Sequence, residues 1–510
     1  MITRVFVASV LLLLPALTPA IADDPLPDSA TIYAKVAAAR GPRPHSSKEV
    51  LAVSQSSGAE WTETRYVDGD DYRTDYLDGA GVETQSGKYK GDSWHQNANG
   101  QTVIHEAEPG LATSETYTTT VTRISDPVAG YRVAELNKRG WGDIDYVDGS
   151  TWRIVRTDTV DAAGTSVETF GDFTAFGSMT LARTRHNHDI DTGADTTTIV
   201  KSFESANVTA ADVAIPSNRR QLVEFPPGID FVNLPATFKG NRIYVMVTIG
   251  GRGYDFLLDT GSAGINVDPG AAARLGLHTF NKERNSYNAG AFDSAQAKID
   301  TMSVGPLTMH DVYVHTAPVI EFADDVKSVG LLGFDFLAEL GVRIDYVHKA
   351  VTVRRWGTYS TPSGPGFNVV PVRLDDETPL VSAKINGATA ERITVDTGAG
   401  TSFLLFNYFA RRHPEALVDH KAGGLFSAPV QFEGVGGEIE TKPYELAEID
   451  FGSVRFINFV GYVVTGNSYG YDEDGVFGSG FLRFYDVYLD YPNGQIALHV
   501  NEDGQKAAGR

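Results

Sequence analysis

The chain of 510 residues contains no cysteine. That excludes disulfide staples, a thiol nucleophile, thiolate metal ligands and a lipidated N-terminal cysteine. A cysteine-free exported chain of this size must be held by its apolar cores, which suits a bacterial periplasm or exterior better than a disulfide-stapled module. Long apolar runs are scarce as well. Beyond the N-terminus no segment approaches the roughly 18 uninterrupted apolar residues of a membrane-crossing helix. Positive charge is in deficit, with 43 Lys and Arg against 65 Asp and Glu, which argues against nucleic acid and anionic membranes as partners. The acidic excess reads first as solubility. No His-Glu-x-x-His run marks a zinc peptidase, and neither a metal nor a cofactor is expected.

What is present begins with MITRVFVASVLLLLPALTPAIADDP. One basic residue, Arg4, precedes a short apolar run from Val5 to Leu17, and Ala20-Ile21-Ala22 supplies the small-x-small pattern of a signal-peptidase site. A cleaved leader is expected over residues 1–22, leaving a periplasmic or secreted chain that starts at Asp23.

The length suggests about three domains, and richness in Gly, Thr, Tyr and Val predicts a mainly β protein. A short helix is expected at 31–40. From about 60 to 205 the text is short alternating strands, with hairpin turns signalled at Asp68-Gly69, Asp78-Gly79, Asn99-Gly100 and Asp148-Gly149. This N-terminal antiparallel sheet domain (23–225) has a cadence that resembles the half-barrel of periplasmic lipoprotein-carrier proteins, which implies a concave face for lipid or peptide. The sequence leaves three roles open for it: carrier, recruiting domain or inhibitory segment. Pro-rich text at 206–233 marks a break, and WGTYSTPSGPGFN marks a second. Between and after them lie two segments that resemble each other, 234–355 and 367–500, joined by a linker at 356–366 and followed by a tail at 501–510.

The internal likeness carries the chemistry. Segment one reads FLLDTGSAGINV … GLLGFDFLAELGVRIDYVHKAVTV; segment two reads ITVDTGAGTSFLLF … GVFGSGFLRFYDVYLDYPNGQIALHV. Three landmarks recur in order: Asp-Thr-Gly, an apolar-apolar-Gly run and an Asp-Tyr pair. The interval from Gly333 to Asp345 equals that from Gly478 to Asp490. At Asp259 and Asp396 an apolar strand delivers a carboxylate inward. Gly261 and Gly398 let the backbone turn and approach a substrate closely. Ser262 and Ala399 leave room for the loop, and the Thr260 and Thr397 hydroxyls can bond across to the other loop. The runs ending in Gly333 and Gly478 are expected to pass beneath the loops and pack against them.

This double pattern resembles the aspartic peptidases, specifically the bacterial retropepsin-like family, over residues 234–500. The resemblance implies two duplicated β-barrel lobes on one chain, a monomer, and an intramolecular Asp259/Asp396 dyad that activates water against a peptide bond in a peptide or protein substrate. It also implies hairpin flaps, with candidates in NSYNAGAFDSAQAKI (Tyr287, Phe292) and VQFEGVGGEIETK (Gly434, Gly436, Gly437). Lobe one lacks the glycine run often seen at the family's flap. A different class stays open: a binding protein that keeps the fold without the chemistry and carries lipid or peptide on its N-terminal sheet.

A third Asp-Thr-Gly, in HNHDIDTGADTTTIV, lacks the apolar approach strand and the downstream Gly run. It reads as a hairpin turn. His186, His188, Asp191 and Asp195 around it read as a solvated tip rather than a metal site, and Gly91-Asp92-Ser93 sits among hairpins rather than at a nucleophile elbow.

Overall fold

A computed structural model describes residues 25–105, 116–161, 164–287, 290–319, 326–375, 377–419, 430–434, 437–465 and 473–508. The expected leader and Gly436 lie outside these residues. The protein is mainly β, as its composition predicts. The first element is a helix, Ser29–Arg40, which starts two residues before the expected 31 because Asp28 caps it, its side chain accepting from Thr31 N at 2.7 Å. Ile32 on that helix is buried against Val133 and Val147.

Those valines belong to a 13-stranded antiparallel sheet built from two meanders. The four expected turn pairs all fall between consecutive strands that pair with each other. The seam between the meanders joins the strand Ser46–Gln55 to Asp195–Ser205, with Leu51 opposite Val200. Leu51, Val53 and Val200 form a small core there.

The stretch after the sheet is not a free connection throughout. Leu222, Val223 and Phe225 are buried in the same apolar core as the strands that follow. Phe231–Asn233 pairs with Ala350–Arg355, so the chain joins the body of the first lobe before residue 234.

The two similar segments build matching arrangements. In the first, Arg252–Leu258 leads to Asp259 and pairs in parallel with Gly330–Leu332, which pairs antiparallel with Ile265–Val267. In the second, Ala388–Asp396 pairs in parallel with Gly475–Gly478, which pairs antiparallel with Phe403–Leu405. Each apolar-apolar-Gly run thus threads between the strand entering an Asp loop and the strand leaving it. Hairpins occupy equivalent places: Thr279–Tyr287 with Gly290–Val304, and Val430–Gly434 with Gly437–Phe451.

A six-stranded sheet takes strands from both segments. Leu340–Asp345 of the first pairs antiparallel with Tyr485–Asp490 of the second, with Val342 opposite Leu489. These residues share one core with both lobes. Burial of this kind contributes about 25 cal/mol per Å² of apolar surface, and here it holds the Asp loops at a fixed separation. The expected tail contains a short helix, Glu502–Ala508.

Candidate active site

Each Asp loop begins at the end of a buried strand, where Asp259 N still donates to Leu332 O and Asp396 still pairs with Gly478. Gly261 N donates to Asp259 Oδ1 at 2.9 Å. Gly398 N and Ala399 N both donate to Asp396 Oδ1, at 2.6 and 2.9 Å. Each carboxyl is therefore oriented by its own turn and lies against the glycine of the other. A Cβ on Gly398 would lie 2.5 Å from Asp259 Cγ, and one on Gly261 would lie 2.7 Å from Asp396 Cγ. The structure brings the two carboxyls together across these glycines, with Asp259 only 9% exposed.

The threonines lock the loops. Thr397 Oγ1 accepts from Thr260 N at 3.1 Å and donates to Leu258 O at 2.7 Å. Thr260 Oγ1 accepts from Thr397 N at 3.0 Å and donates to Val395 O. Both threonines are buried, where such bonds are costly to leave unmade. Below them Gly333 and Gly478 sit too close for a side chain. A Cβ at Gly333 would lie 2.3 Å from Ser262 O, and one at Gly478 would lie 2.6 Å from Ala399 O. Phe334 N donates to Ser262 O and Ser479 N to Ala399 O, the same bond in each lobe.

Burial pushes the Asp259 carboxyl well above its usual range. The adjacent Asp396 charge and a hydrogen bond to Asp396 push the same way, while Gly261 N–H and Arg242 oppose. Two carboxyls this close hold a proton between them. The arrangement favours the neutral form of Asp259 beside a second carboxyl.

Three neighbours were not legible as site residues. Arg242, from lobe one, donates its Nε to Gly398 O at 2.8 Å and places its guanidinium against Gly400. Its only sequence signal is one cation opening an apolar strand, RIYVMVTI. Tyr346, partly buried, and Tyr491, buried, come from the repeated Asp-Tyr pairs and lie near the two carboxyls. Burial pushes both hydroxyls up; Asp396 adds to this at Tyr346, and both Asp259 and Asp396 add to it at Tyr491. The recurrence of these pairs was visible, but their place beside the dyad was not.

Phe292, Gly434 and Gly437 lie on the two hairpins, not in the interlocked loops. Phe292 is half-buried opposite Asn285, and Gly434 faces Gly437 at the closing pair. The Tyr287 side chain lies outside the described residues. The first hairpin is not free-standing. Arg284 N donates to Gln55 Oε1 at 3.2 Å and Asn281 Nδ2 to Asp78 Oδ2 at 3.4 Å, both on the N-terminal sheet.

Asp191-Thr192-Gly193 forms the turn between Thr184–Asp189 and Asp195–Ser205. Asp189 Oδ1 accepts from Asp191 N and Thr192 N, and Gly193 has φ +70°. His188 bonds Asp195 and His186 bonds Thr197 across that hairpin. Among the described residues no cluster of three or more His, Asp or Glu is arranged to hold a metal ion. Gly91-Asp92-Ser93 opens the strand Asp92–Gln96, whose first two residues are exposed.

A family model described as aspartyl protease matches residues 245–336, the stretch from within the strand Arg242–Ile249 to just past Gly333. No curated protein sequence matches the chain. Solved structures with a similar course include an aspartic proteinase from Irpex lacteus, 14% identical, covering 53% of this chain and 98% of its own at a TM-score of 0.33. Basic 7S globulin from soybean is 12% identical, covering 54% and 95% at 0.33. A LolA superfamily protein from Nitrosomonas europaea is 11% identical, covering 36% and 96% at 0.29.

Proposed function

We propose that the chain is a single-chain aspartic endopeptidase of the periplasm or exterior, acting on peptide or protein substrates as a monomer. The observation that carries this is the interlock itself: two carboxyls from different lobes, each seated against the other loop's glycine, with Asp259 held neutral by burial.

A water held between the carboxyls is the nucleophile. Asp396, oriented by two backbone N–H groups, takes one of its protons as the water oxygen bonds to the scissile carbonyl carbon. Asp259 gives its proton to the carbonyl oxygen as the double bond opens. In the second half the C–N bond breaks and the nitrogen takes the proton from Asp396. Asp259 recovers a proton from the gem-diol as the new carboxyl forms. No acyl-enzyme is made, and the dyad ends as it began.

The test is digestion of a denatured protein mixture by the chain from Asp23, from acid to neutral pH, read by mass spectrometry. Asp259→Asn and Asp396→Asn are each expected to lower cleavage by roughly 10²–10⁴-fold or more. Cleavage that survives in either variant would overturn the dyad, and a folded wild type that cuts nothing would favour a binding protein. Because the dyad works only while it holds a proton, wild-type cleavage is expected to fall as pH rises through the Asp259 titration.

A further inference from the structure

Outside the dyad, a group of buried polar side chains lies where the N-terminal sheet meets both lobes. The hairpin of Asp92–Gln96 and Thr102–His105 turns through residues 97–101. From that turn Asn97 Nδ2 donates to Asp335 Oδ1 at 3.0 Å and to Glu377 Oε1 at 2.7 Å. Gln101 Nε2 donates to Asp335 O at 3.0 Å. One amide thus serves two buried carboxyls, Asp335 from lobe one and Glu377 from lobe two.

Asp335 connects this turn to the dyad. It stands two residues past Gly333, and its Oδ2 accepts from Ile265 N at 3.0 Å, at the exit of the Asp259 loop. Gly264 is left-handed (φ +80°), and a Cβ there would lie 2.8 Å from Asp335 Oδ2. The carboxyl therefore fills the space against which this loop turns.

The same junction contains a relay of three hydrogen-bond contacts. His105 Nδ1 bonds Leu374 O at 2.7 Å, His95 Nδ1 bonds His105 Nε2 at 2.8 Å, and His95 Nε2 bonds Glu377 Oε1 at 3.2 Å. A carbonyl only accepts, so each of these contacts needs its own hydrogen. Two neutral imidazoles supply two, so the third must come from an imidazolium or a protonated Glu377. The relay is complete only with one extra proton.

Among the described residues, charged groups facing it include Asp375, 3.7 Å from His105 and paired with Arg392, and the partly buried His315, on which Glu377's charge acts. Arg219 donates to Asn97 O, and Arg220 to Asn99. Burial, then the Glu377 charge, pushes Asp335 up to about 8, so this carboxyl too favours the protonated state below that pH.

Resting on the peptidase reading, we propose that Asn97, Gln101 and Asp335 are positioning residues for the Asp259 loop, and that the His105–His95–Glu377 relay makes this docking of the N-terminal sheet proton-dependent. On this assignment the sheet is a working part of the active site, and the enzyme is built for acid to neutral conditions.

The experiment is amide hydrogen exchange on the full chain from Asp23, corrected for intrinsic rates, beside the peptidase pH profile. In wild type, protection at Ile265 and across 93–105 is expected to fall together, by about tenfold or more, between pH 5 and pH 8.5. Asn97→Ala is expected to expose Ile265 by a similar factor at pH 5 and to lower kcat more than KM. His95→Gln, whose amide donates without an extra proton, is expected to flatten the pH dependence of protection. Protection that does not change with pH in wild type would overturn the relay, and a folded Asn97→Ala with unchanged Ile265 exchange would overturn the positioning role. If Asn97→Ala does not fold, Asn97→Asp, which keeps the side-chain shape but replaces the donor with a third carboxyl, is read in the same way. Exchange needs no turnover, so coupled protection without cleavage would sink only the peptidase reading.

Discussion

A methyl group is the smallest probe of the dyad. On Gly398 it would fall 2.5 Å from Asp259 Cγ, well inside contact distance, and the carboxyl would have to rotate out of line with Asp396. Gly398→Ala is expected to lose about 10²-fold or more in kcat, the scale of a catalytic group misplaced by an ångström, with its far-UV circular dichroism unchanged. The threonine lock predicts a different signature. Thr397→Val keeps the shape but removes an acceptor for Thr260 N and a donor for Leu258 O, both buried. It should cost about 1–3 kcal/mol, read as a lower urea midpoint. Because Thr260 and Thr397 share these bonds, the double variant should cost less than the two singles added. At this scale the sequence announced the loop residues well, because Asp-Thr-Gly behind an apolar strand leaves few alternatives. Arg242 went unread because its partner is a backbone carbonyl on the other lobe, and no local pattern encodes a contact across that distance.

Among the elements, the runs beneath the loops bear the most weight. Phe477 is 1% exposed and its ring centroid lies 4.7 Å from Phe403, 4.8 Å from Phe451 and 4.9 Å from Phe481. Phe477→Ala is expected to cost about 3–5 kcal/mol, measured by urea unfolding, and to disturb lobe two before lobe one. The Asp-Gly and Asn-Gly turns, the two hairpins and the Gly runs were legible because each has a short-range signature. The partners of the seam strand Ser46–Gln55 were not, since antiparallel pairing between Leu51 and Val200 leaves no mark near either residue. The Asn97–Gln101 turn misleads for a related reason. Polar turn residues read as solvated, yet Asn99 and Gln101 are buried against lobe one.

For the molecule as a whole, protons and stability are linked through buried acids. A carboxyl whose folded pKa is raised binds its proton more tightly in the folded state, so its contribution is full below the unfolded value and is lost as pH rises through the folded one. Asp335, raised from 3.8 to about 8, sets a window in which stability declines from mildly acidic pH up to about 8. Asp259 acts in the same sense. His315 acts oppositely: with its pKa lowered by desolvation, it costs stability as pH falls below the ordinary histidine range. Urea midpoints are therefore expected to peak in weak acid, and Asp335→Asn should flatten the decline toward pH 8.5. A decline just as steep in that variant would move the cause elsewhere.

The seam that joins Leu51 to Val200 and the one that joins Val342 to Leu489 also set an order of events. Each closes a very long loop, which makes both slow to form. During synthesis the strand Gln495–Val500 appears after the other five strands of the shared six-stranded sheet. A chain laid out this way does not hold its two Asp loops together while the earlier segments are still unfolded. On the proposed peptidase reading, the topology therefore acts as a timer that delays the pairing of the Asp loops until the segments before that strand have been made.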